Sequence, residues 1–201
     1  MKNFIFFGDS VCTGQYISVH NIWVSMISSH ISDRIIIFNH SINGDITRTA
    51  LERMPHDVQE IGPDIIYIQF GLNDCNYWES DKGLPRVSQK AFEGNLYEII
   101  SRAKTFGAKL IFVATNHPAG KTEKHKENNY KYNCSIRNVA KDTESELIDI
   151  EKSFPVDNIN TKLLLDDGIH LSLNGHKLYY GLIYDIINCE ICRLFGIGRC
   201  K

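Results

Sequence analysis

The sequence lacks a long hydrophobic run. No apolar run in its 201 residues approaches the roughly 20 residues that cross a bilayer. The apolar run near the start, Phe4–Phe7, is also too short for a secretory signal, which needs about 7–15 apolar residues. We therefore expect a cytoplasmic protein with no stable membrane association.

An excess of charge of one sign is also missing. The 22 lysines and arginines nearly balance the 24 aspartates and glutamates, so the formal net charge is only -2. This balance gives no indication of a nucleic-acid partner or of an anionic surface as a partner. With 43% hydrophobic residues, the chain is typical of a globular protein, and its length predicts a single domain over residues 1–201.

Cysteines are few and scattered, at positions 12, 75, 134, 189, 192 and 200. Without a secretory signal, we interpret all six as free thiols rather than as a disulfide framework. Cys189 and Cys192 form a C-x-x-C pair, with Cys200 nearby. The pair falls late in a helical pattern, where the helix dipole does not favour a thiolate, and no fourth zinc ligand is suitably spaced. The pattern thus favours neither a redox site nor a zinc site.

Five near-continuous apolar runs predict the buried strands of a parallel sheet. Strands that are covered on both faces show little alternation of polar and apolar residues, and these runs match that pattern. The predicted strands are Asn3–Phe7, Arg34–Phe38, Asp64–Phe70, Lys109–Thr115 and Glu146–Ile150.

Helical patterns lie between these runs. Apolar residues recur at helical spacing within Val19–Ile31, Phe92–Ala103 and Tyr179–Leu194. The polar stretch Thr122–Glu144 predicts an exposed helix whose first part is either helix or loop, and Thr49–Ile61 predicts a short helix with an irregular end. This alternation predicts an α/β fold, a three-layer α/β/α sandwich.

Small and polar residues follow four of the predicted strands. The carboxyl ends of parallel strands share one edge of a sheet, and ligands bind beyond that edge. The segments in question are Gly8–Ser10, Asn39–Asp45, Gly71–Asp74 and, after a further loop, Asp166–Ser172. We therefore expect the functional site at this edge.

Asp167 and His170 stand three residues apart across a glycine, so one turn can point both side chains the same way. A carboxylate beside an imidazole fixes the tautomer of the ring, as a serine nucleophile requires. With Ser10, the parts of a Ser-His-Asp triad are present. Acyl transfer also needs donors for an oxyanion, and the candidates are the N–H groups of Ser10 and Gly44 and the amide of Asn73.

Four blocks of the sequence resemble those of the SGNH hydrolases, also called GDSL esterases and lipases. The blocks are Gly8-Asp9-Ser10, with Val11 in place of the family's leucine, Asn43-Gly44-Asp45, Gly71-Leu72-Asn73-Asp74 and Asp167-Gly168-Ile169-His170. The resemblance implies a flavodoxin-like sheet of five parallel strands and catalysis without cofactor or metal. It also implies roles for five residues: Ser10 as nucleophile, His170 as base and acid, Asp167 as its partner, and Ser10, Gly44 and Asn73 as the oxyanion hole.

Other polar residues near these blocks have more ordinary interpretations. Asp166 adjoins Asp167, but the D-x-x-H spacing selects Asp167. We expect His176 to be structural, whereas His117, which follows the fourth predicted strand, is a candidate pocket wall. Three further acids are expected to cap helices and brace loops: Asp9, Asp45 and Asp74.

A long insertion, Cys75–Lys90, directly follows Asn73. Long loops at the carboxyl ends of strands commonly shape substrate pockets. Tyr77 and Trp78 in this insertion therefore either line a substrate pocket or pack the loop against the domain.

Together these features predict a serine ester hydrolase for a small-molecule ester. A short acyl group is expected, with an O-acetyl group on a carbohydrate or another small molecule as the first choice. Two alternatives use the same triad, an acyltransferase and a thioesterase. A third alternative is a binding module that keeps the fold but no longer catalyses a reaction. It is disfavoured because all the site residues, Ser10, Asn73, Asp167 and His170, are present.

Overall fold

Five parallel strands form the centre of the protein. The computed structural model describes residues 1–155 and 162–197. The strands are β1 (Lys2–Gly8), β2 (Ile35–Asn39), β3 (Ile65–Gln69), β4 (Leu110–Ala114) and β5 (Glu146–Ile148). They lie side by side in the order β2-β1-β3-β4-β5. This is the strand order of the flavodoxin-like fold, so all five predicted strands and the predicted fold class are confirmed.

Helices cover both faces of the sheet. The α-helices are α1 (Ser10–Thr13), α2 (Trp23–His30), α3 (Thr47–Met54), α4 (Gln89–Thr105), α5 (Glu123–Asp142), α6 (Ile150–Ser153) and α7 (Leu173–Phe195). Short 3₁₀ turns lie at Val19–Asn21 and Glu79–Asp81, and a π-helical turn follows α3 at Pro55–Gln59. This turn is the irregular end that the sequence predicts for the helix.

The side chains of alternate strand residues pack in two separate hydrophobic cores, one on each face of the sheet. Phe4 and Phe6 of β1 point to a core closed mainly by α2 and α7. Ile5 and Phe7 point to the opposite core, closed by α3, α4 and α5. Because β1 is buried on both faces from Phe4 to Gly8, it is a rigid support for the residues that follow it.

The prediction that the Thr122–Glu144 helix is exposed is wrong, because the helix buries one face, including the polar residues Asn129 and Asn133. Of the two alternatives for its first part, helix is the one observed: the segment is helical from Glu123 onward, and the Thr122 side chain caps it by accepting the His125 N–H. The amides of Asn129 and Asn133 donate to backbone carbonyls of residues 116–119, which explains why polar residues are buried there.

The cysteine prediction is confirmed at four positions and wrong at one. Cys12, Cys75, Cys134 and Cys189 are free thiols. Cys192 is instead half of a disulfide, and Cys200 lies outside the described residues.

None of the helices within residues 1–155 and 162–197 is long and apolar enough to cross a membrane. The single domain over residues 1–201 and the cytoplasmic location stay predictions.

Candidate active site

Ser10 lies at the carboxyl end of β1, which pairs with β2 and β3, and is the first residue of α1. Asp9 caps this short helix, because its carboxylate accepts a hydrogen bond from the Val11 N–H at 3.0 Å. The first N–H groups of a helix have no partner within the helix. The Ser10 N–H accordingly donates to no other described residue. The serine therefore presents both a hydroxyl and an unpaired N–H at the edge of the sheet.

A hydrogen-bonded row joins three of the predicted residues. Ser10 Oγ lies 3.0 Å from His170 Nε2, and His170 Nδ1 lies 2.5 Å from Asp167 Oδ2. The other carboxylate oxygen of Asp167 accepts the N–H groups of Ile169 and His170, each at 2.9 Å. The turn over residues 167–170 therefore fixes the carboxylate and the imidazole as one unit.

The environment of Asp167 favours its ionised form. Burial alone would raise the pKa of this carboxyl. The hydrogen bonds from the His170 ring and from the two backbone N–H groups outweigh burial and hold the pKa of Asp167 below its ordinary value. A carboxylate in this state can stabilise an imidazolium on His170.

Two further predicted donors lie in loops at the same edge. Gly44 has a φ of 75°, in the left-handed region, and its N–H donates to no other described residue. Asn73 follows β3, and its amide Nδ2 donates to Asp9 Oδ2 at 3.1 Å. That bond uses one amide hydrogen of Asn73 and leaves the second one to face elsewhere. The two groups therefore have the donor capacity that an oxyanion requires.

Buried histidines hold two of the site loops through backbone carbonyls. His125 Nε2 donates to the carbonyl of Leu72, next to Asn73, at 3.3 Å. His117 Nε2 donates to the carbonyl of Ile169, next to His170, at 2.8 Å. Sequence reasoning did not identify His125, because a histidine in a polar helical stretch gives no local signal of a long-range contact.

The prediction of His117 as a pocket wall is wrong. The residue is fully buried, and its Nδ1 accepts the hydroxyl proton of Tyr179 at 2.6 Å. Burial lowers the pKa of His117 to about 4, so the ring is neutral near pH 7, with its proton on Nε2. His117 therefore acts as a fixed support beneath the turn that carries His170.

The three acids predicted to cap or brace do so. Asp45 pairs with Arg53, whose guanidinium also donates to the His40 carbonyl at 2.6 Å. Asp74 accepts both the N–H and the hydroxyl of Thr47 at the start of α3, at 2.9 and 2.5 Å. Asp9 caps α1, as described above. These contacts fix the loops that carry Gly44 and Asn73 against the sheet.

His176 confirms its predicted structural role. It is buried, and its Nδ1 accepts the Trp23 N–H at 3.3 Å.

A cleft of about 520 Å³ opens beside the His170 turn. Its lining residues come from the segment after α1 and from the segment before α7: Tyr16, Leu164, Leu165, Asp166, Asp167 and Ser172. Tyr16 is a residue that sequence reasoning missed, and its ring lies edge to face with that of His170 at 5.3 Å between centroids.

Tyr77 and Trp78 do not line this cleft. The Tyr77 hydroxyl is hydrogen-bonded to the Thr122 hydroxyl at 2.9 Å, and Lys124 lies over the Tyr77 ring. These contacts favour the interpretation that Tyr77 packs the insertion against α5. Trp78 is 57% exposed, and its role as a pocket residue stays a prediction.

The fold and the site define the class of protein. An α/β/α sandwich with a serine, a histidine and a carboxylate in a row at the carboxyl edge of the sheet is the arrangement of a serine-type ester hydrolase. The chain belongs to the GDSL-like lipase/acylhydrolase family, whose model matches residues 6–178.

Comparisons with individual proteins agree with this membership. The chain is 25% identical over 168 residues to an arylesterase of Vibrio mimicus, covering 81% of this chain and 76% of that protein. The lipase/acylhydrolase structure from Enterococcus faecalis shares the fold, with a TM-score of 0.79, 23% identity and coverage of 93% of this chain and 95% of that one. The acetyl xylan esterase AlAXEase also shares it, with a TM-score of 0.78, 20% identity and coverage of 92% and 99%.

Proposed function

We propose that this protein is a serine ester hydrolase that works through an acyl-enzyme on Ser10. The observation that carries the proposal is the row from Ser10 Oγ through His170 to Asp167, with distances of 3.0 and 2.5 Å. A serine hydroxyl is a weak nucleophile unless a base accepts its proton, and a carboxylate must hold that base in the right tautomer. The similarity to a protein named arylesterase supports ester chemistry.

The reaction proceeds in two halves. Ser10 Oγ attacks the acyl carbon as its proton moves to His170 Nε2, and the carbonyl oxygen becomes an oxyanion. The bond to the alcohol then breaks, and the leaving oxygen takes the proton from His170. Water attacks the acyl-enzyme in turn and loses its proton to the same imidazole. The bond from the acyl carbon to Ser10 Oγ then breaks, His170 returns the proton to Ser10 Oγ, and the acid leaves.

Three donors stabilise the oxyanion in each half. They are the N–H groups of Ser10 and Gly44, neither of which has another described partner, and the amide of Asn73. Removing one side-chain donor of this kind typically lowers kcat by about 100–1,000-fold. Asn73 is the only one of the three donors that substitution of a side chain removes directly.

We also propose that the acyl group is short, with acetyl as the first choice. The protein named acetyl xylan esterase AlAXEase, whose fold this chain shares, supports an acetyl group.

A panel of p-nitrophenyl esters from acetate to palmitate tests both proposals. The wild type should hydrolyse the acetate with the highest kcat/KM. Ser10→Ala should lose at least ~1,000-fold in kcat, since removal of the nucleophile stops the acyl-enzyme pathway.

Ser41→Ala is the matched control, because Ser41 lies at the same edge and its hydroxyl donates a hydrogen bond to the Phe6 carbonyl at 3.5 Å rather than to a residue of the Ser10–His170–Asp167 row. It should keep the wild-type rate. Equal hydrolysis by wild type and Ser10→Ala would exclude Ser10 as nucleophile. A maximum at palmitate would exclude the short acyl group.

A further inference from the structure

Tyr16 has a backbone conformation that is unfavourable for its residue type. Its φ is 71°, and positive φ in a bulky residue is a steric outlier that persists where the surroundings impose it. Residues held in this way cluster at active sites and ligand contacts. The other non-glycine residues with positive φ in the described part of the chain are Lys82 and Glu144.

Packing of the Tyr16 side chain does not offset the energetic cost of its positive φ. Tyr16 is 72% exposed, and its hydroxyl makes no hydrogen bond to another described residue. Among the described residues, the Tyr16 ring contacts one other ring, that of His170, at 5.3 Å between centroids and an interplanar angle of 87°. The strained backbone therefore holds a solvent-exposed aromatic ring against His170.

The position of Tyr16 indicates which part of an ester would meet it. The ring lies on the His170 and Asp167 side of Ser10, where it lines the cleft with Leu164 and Leu165. On the proposed mechanism, His170 gives its proton to the leaving alcohol oxygen. The alcohol part of the ester is therefore the part that comes beside Tyr16, whereas the acyl carbonyl lies toward the oxyanion donors.

We propose that Tyr16 binds the alcohol part of the ester and selects alcohols that carry a six-membered ring with a flat apolar face. Such a ring, either aryl or pyranose, packs on an exposed aromatic face, and the two leucines extend the apolar contact. Asp166 at the same cleft can accept hydrogen bonds from the polar rim of a sugar or a phenol. This inference rests on the proposed ester hydrolysis and adds a substrate class to it.

The test compares esters that share the acetyl group and differ in the alcohol: phenyl acetate, an acetylated methyl pyranoside, acetylcholine and ethyl acetate. The measured quantity is the ratio of kcat/KM for each ring ester to that for ethyl acetate. Tyr16→Ala and Tyr16→Gly should lower this ratio by about 10-fold, mainly through KM, because an aromatic contact of this size is lost. Tyr16→Phe should keep the ratio, since the ring remains. Whether the phenyl or the pyranoside ratio falls more identifies which ring the site prefers.

Thermal unfolding separates binding from a structural role. Glycine accepts positive φ without strain, so Tyr16→Gly should unfold at the same Tm as wild type or a few degrees higher. Glu144→Gly is the matched control, because Glu144 has a φ of 54° in the turn before β5, at the opposite edge of the sheet. It should change Tm in the same way and leave the ratio at its wild-type value.

Three results would overturn the inference. One is an equal loss on ring esters and ethyl acetate, which would mean that Tyr16 only supports His170. Another is an unchanged ratio of kcat/KM in Tyr16→Ala. The third is a larger loss of kcat/KM on acetylcholine than on phenyl acetate in that variant, which would mean that the ring binds a cation. If the wild type hydrolyses none of the esters, the proposed function fails instead. Binding of phenol and methyl pyranoside to Ser10→Ala, measured by saturation-transfer NMR with and without Tyr16→Ala, then still decides whether Tyr16 holds a ring.

Discussion

At the scale of single residues, Asp9 connects the nucleophile to the oxyanion donors. Its carboxylate accepts the Val11 N–H at 3.0 Å and the Asn73 amide at 3.1 Å, and the residue is fully buried. Burial, together with the charges of Asp74 and Asp45, raises the pKa of Asp9 to about 7 despite those two hydrogen bonds. The acid therefore titrates near neutral pH.

This raised pKa predicts a pH-dependent loss of stability. Between about pH 4 and pH 7 the folded protein keeps a proton on Asp9 that the unfolded chain has released, so this residue makes stability fall as the pH rises. Asp9→Asn cannot titrate. The free energy of unfolding of the variant minus that of wild type should therefore increase from pH 4 to pH 7 and stay constant above, as measured by urea unfolding. A constant difference over this range would contradict the raised pKa.

The same variant should also lower kcat. An asparagine at position 9 presents an amide where Asn73 now finds a carboxylate oxygen, so Asn73 loses its acceptor and its fixed orientation. The double variant Asp9→Asn with Asn73→Ala should then be no slower than Asn73→Ala alone, because both changes remove one donor.

Residues with a local signature were predictable, and residues without one were not. Ser10, Asp167 and His170 stand in short blocks after buried strands, so their spacing already indicated one site. His117, His125 and Tyr16 have roles that depend on partners far along the chain, or on a backbone angle that no sequence pattern encodes. The sequence predicts a pocket wall at His117 because the residue follows β4, where pocket residues commonly lie, but its side chain is fully buried.

At the scale of elements, the strands were easier to predict than the helix α5. Strands covered on both faces are nearly all apolar, so the five runs are visible in the sequence. Helix α5 buries polar side chains that donate hydrogen bonds to backbone carbonyls. Because few of its residues are apolar, the sequence predicts an exposed helix instead.

The junction between β1 and α1 depends on Gly8. A Cβ at this position would lie 2.8 Å from both the Gln69 carbonyl oxygen and Cys12 Sγ, closer than packing allows. Gly8→Ala should therefore lower the free energy of unfolding by about 1–3 kcal/mol and reduce kcat, because the strand must shift under Ser10. Urea unfolding and the p-nitrophenyl acetate assay measure the two effects.

Gly181→Ala is the control for that change. A Cβ at Gly181 meets nothing within 4 Å, and the residue is an exposed position within α7. Alanine should stabilise the protein there by about 0.5–1 kcal/mol without changing kcat. Equal changes in the free energy of unfolding and in kcat for Gly8→Ala and Gly181→Ala would show that the close approach at Gly8 affects neither stability nor catalysis.

At the scale of the whole molecule, the fold brings distant residues together at one edge of the sheet. Ser10 follows β1, the strand next to the central strand β3, and His170 stands 160 residues later, just before α7. Parallel strands place all their carboxyl ends on one side, so loops that are far apart in the sequence meet there. The sequence predicts this general arrangement, whereas the cleft beside Tyr16 depends on how the loops pack.

The central claim is that Ser10 is the nucleophile and His170 its base. The most direct measurement is covalent labelling with a serine-directed phosphonate, followed by mass spectrometry of the peptides. We predict one adduct on the peptide that contains Ser10, no adduct with Ser10→Ala, and labelling slowed by at least ~1,000-fold with His170→Ala. An adduct on another residue, or equal labelling of wild type and Ser10→Ala, would contradict the account.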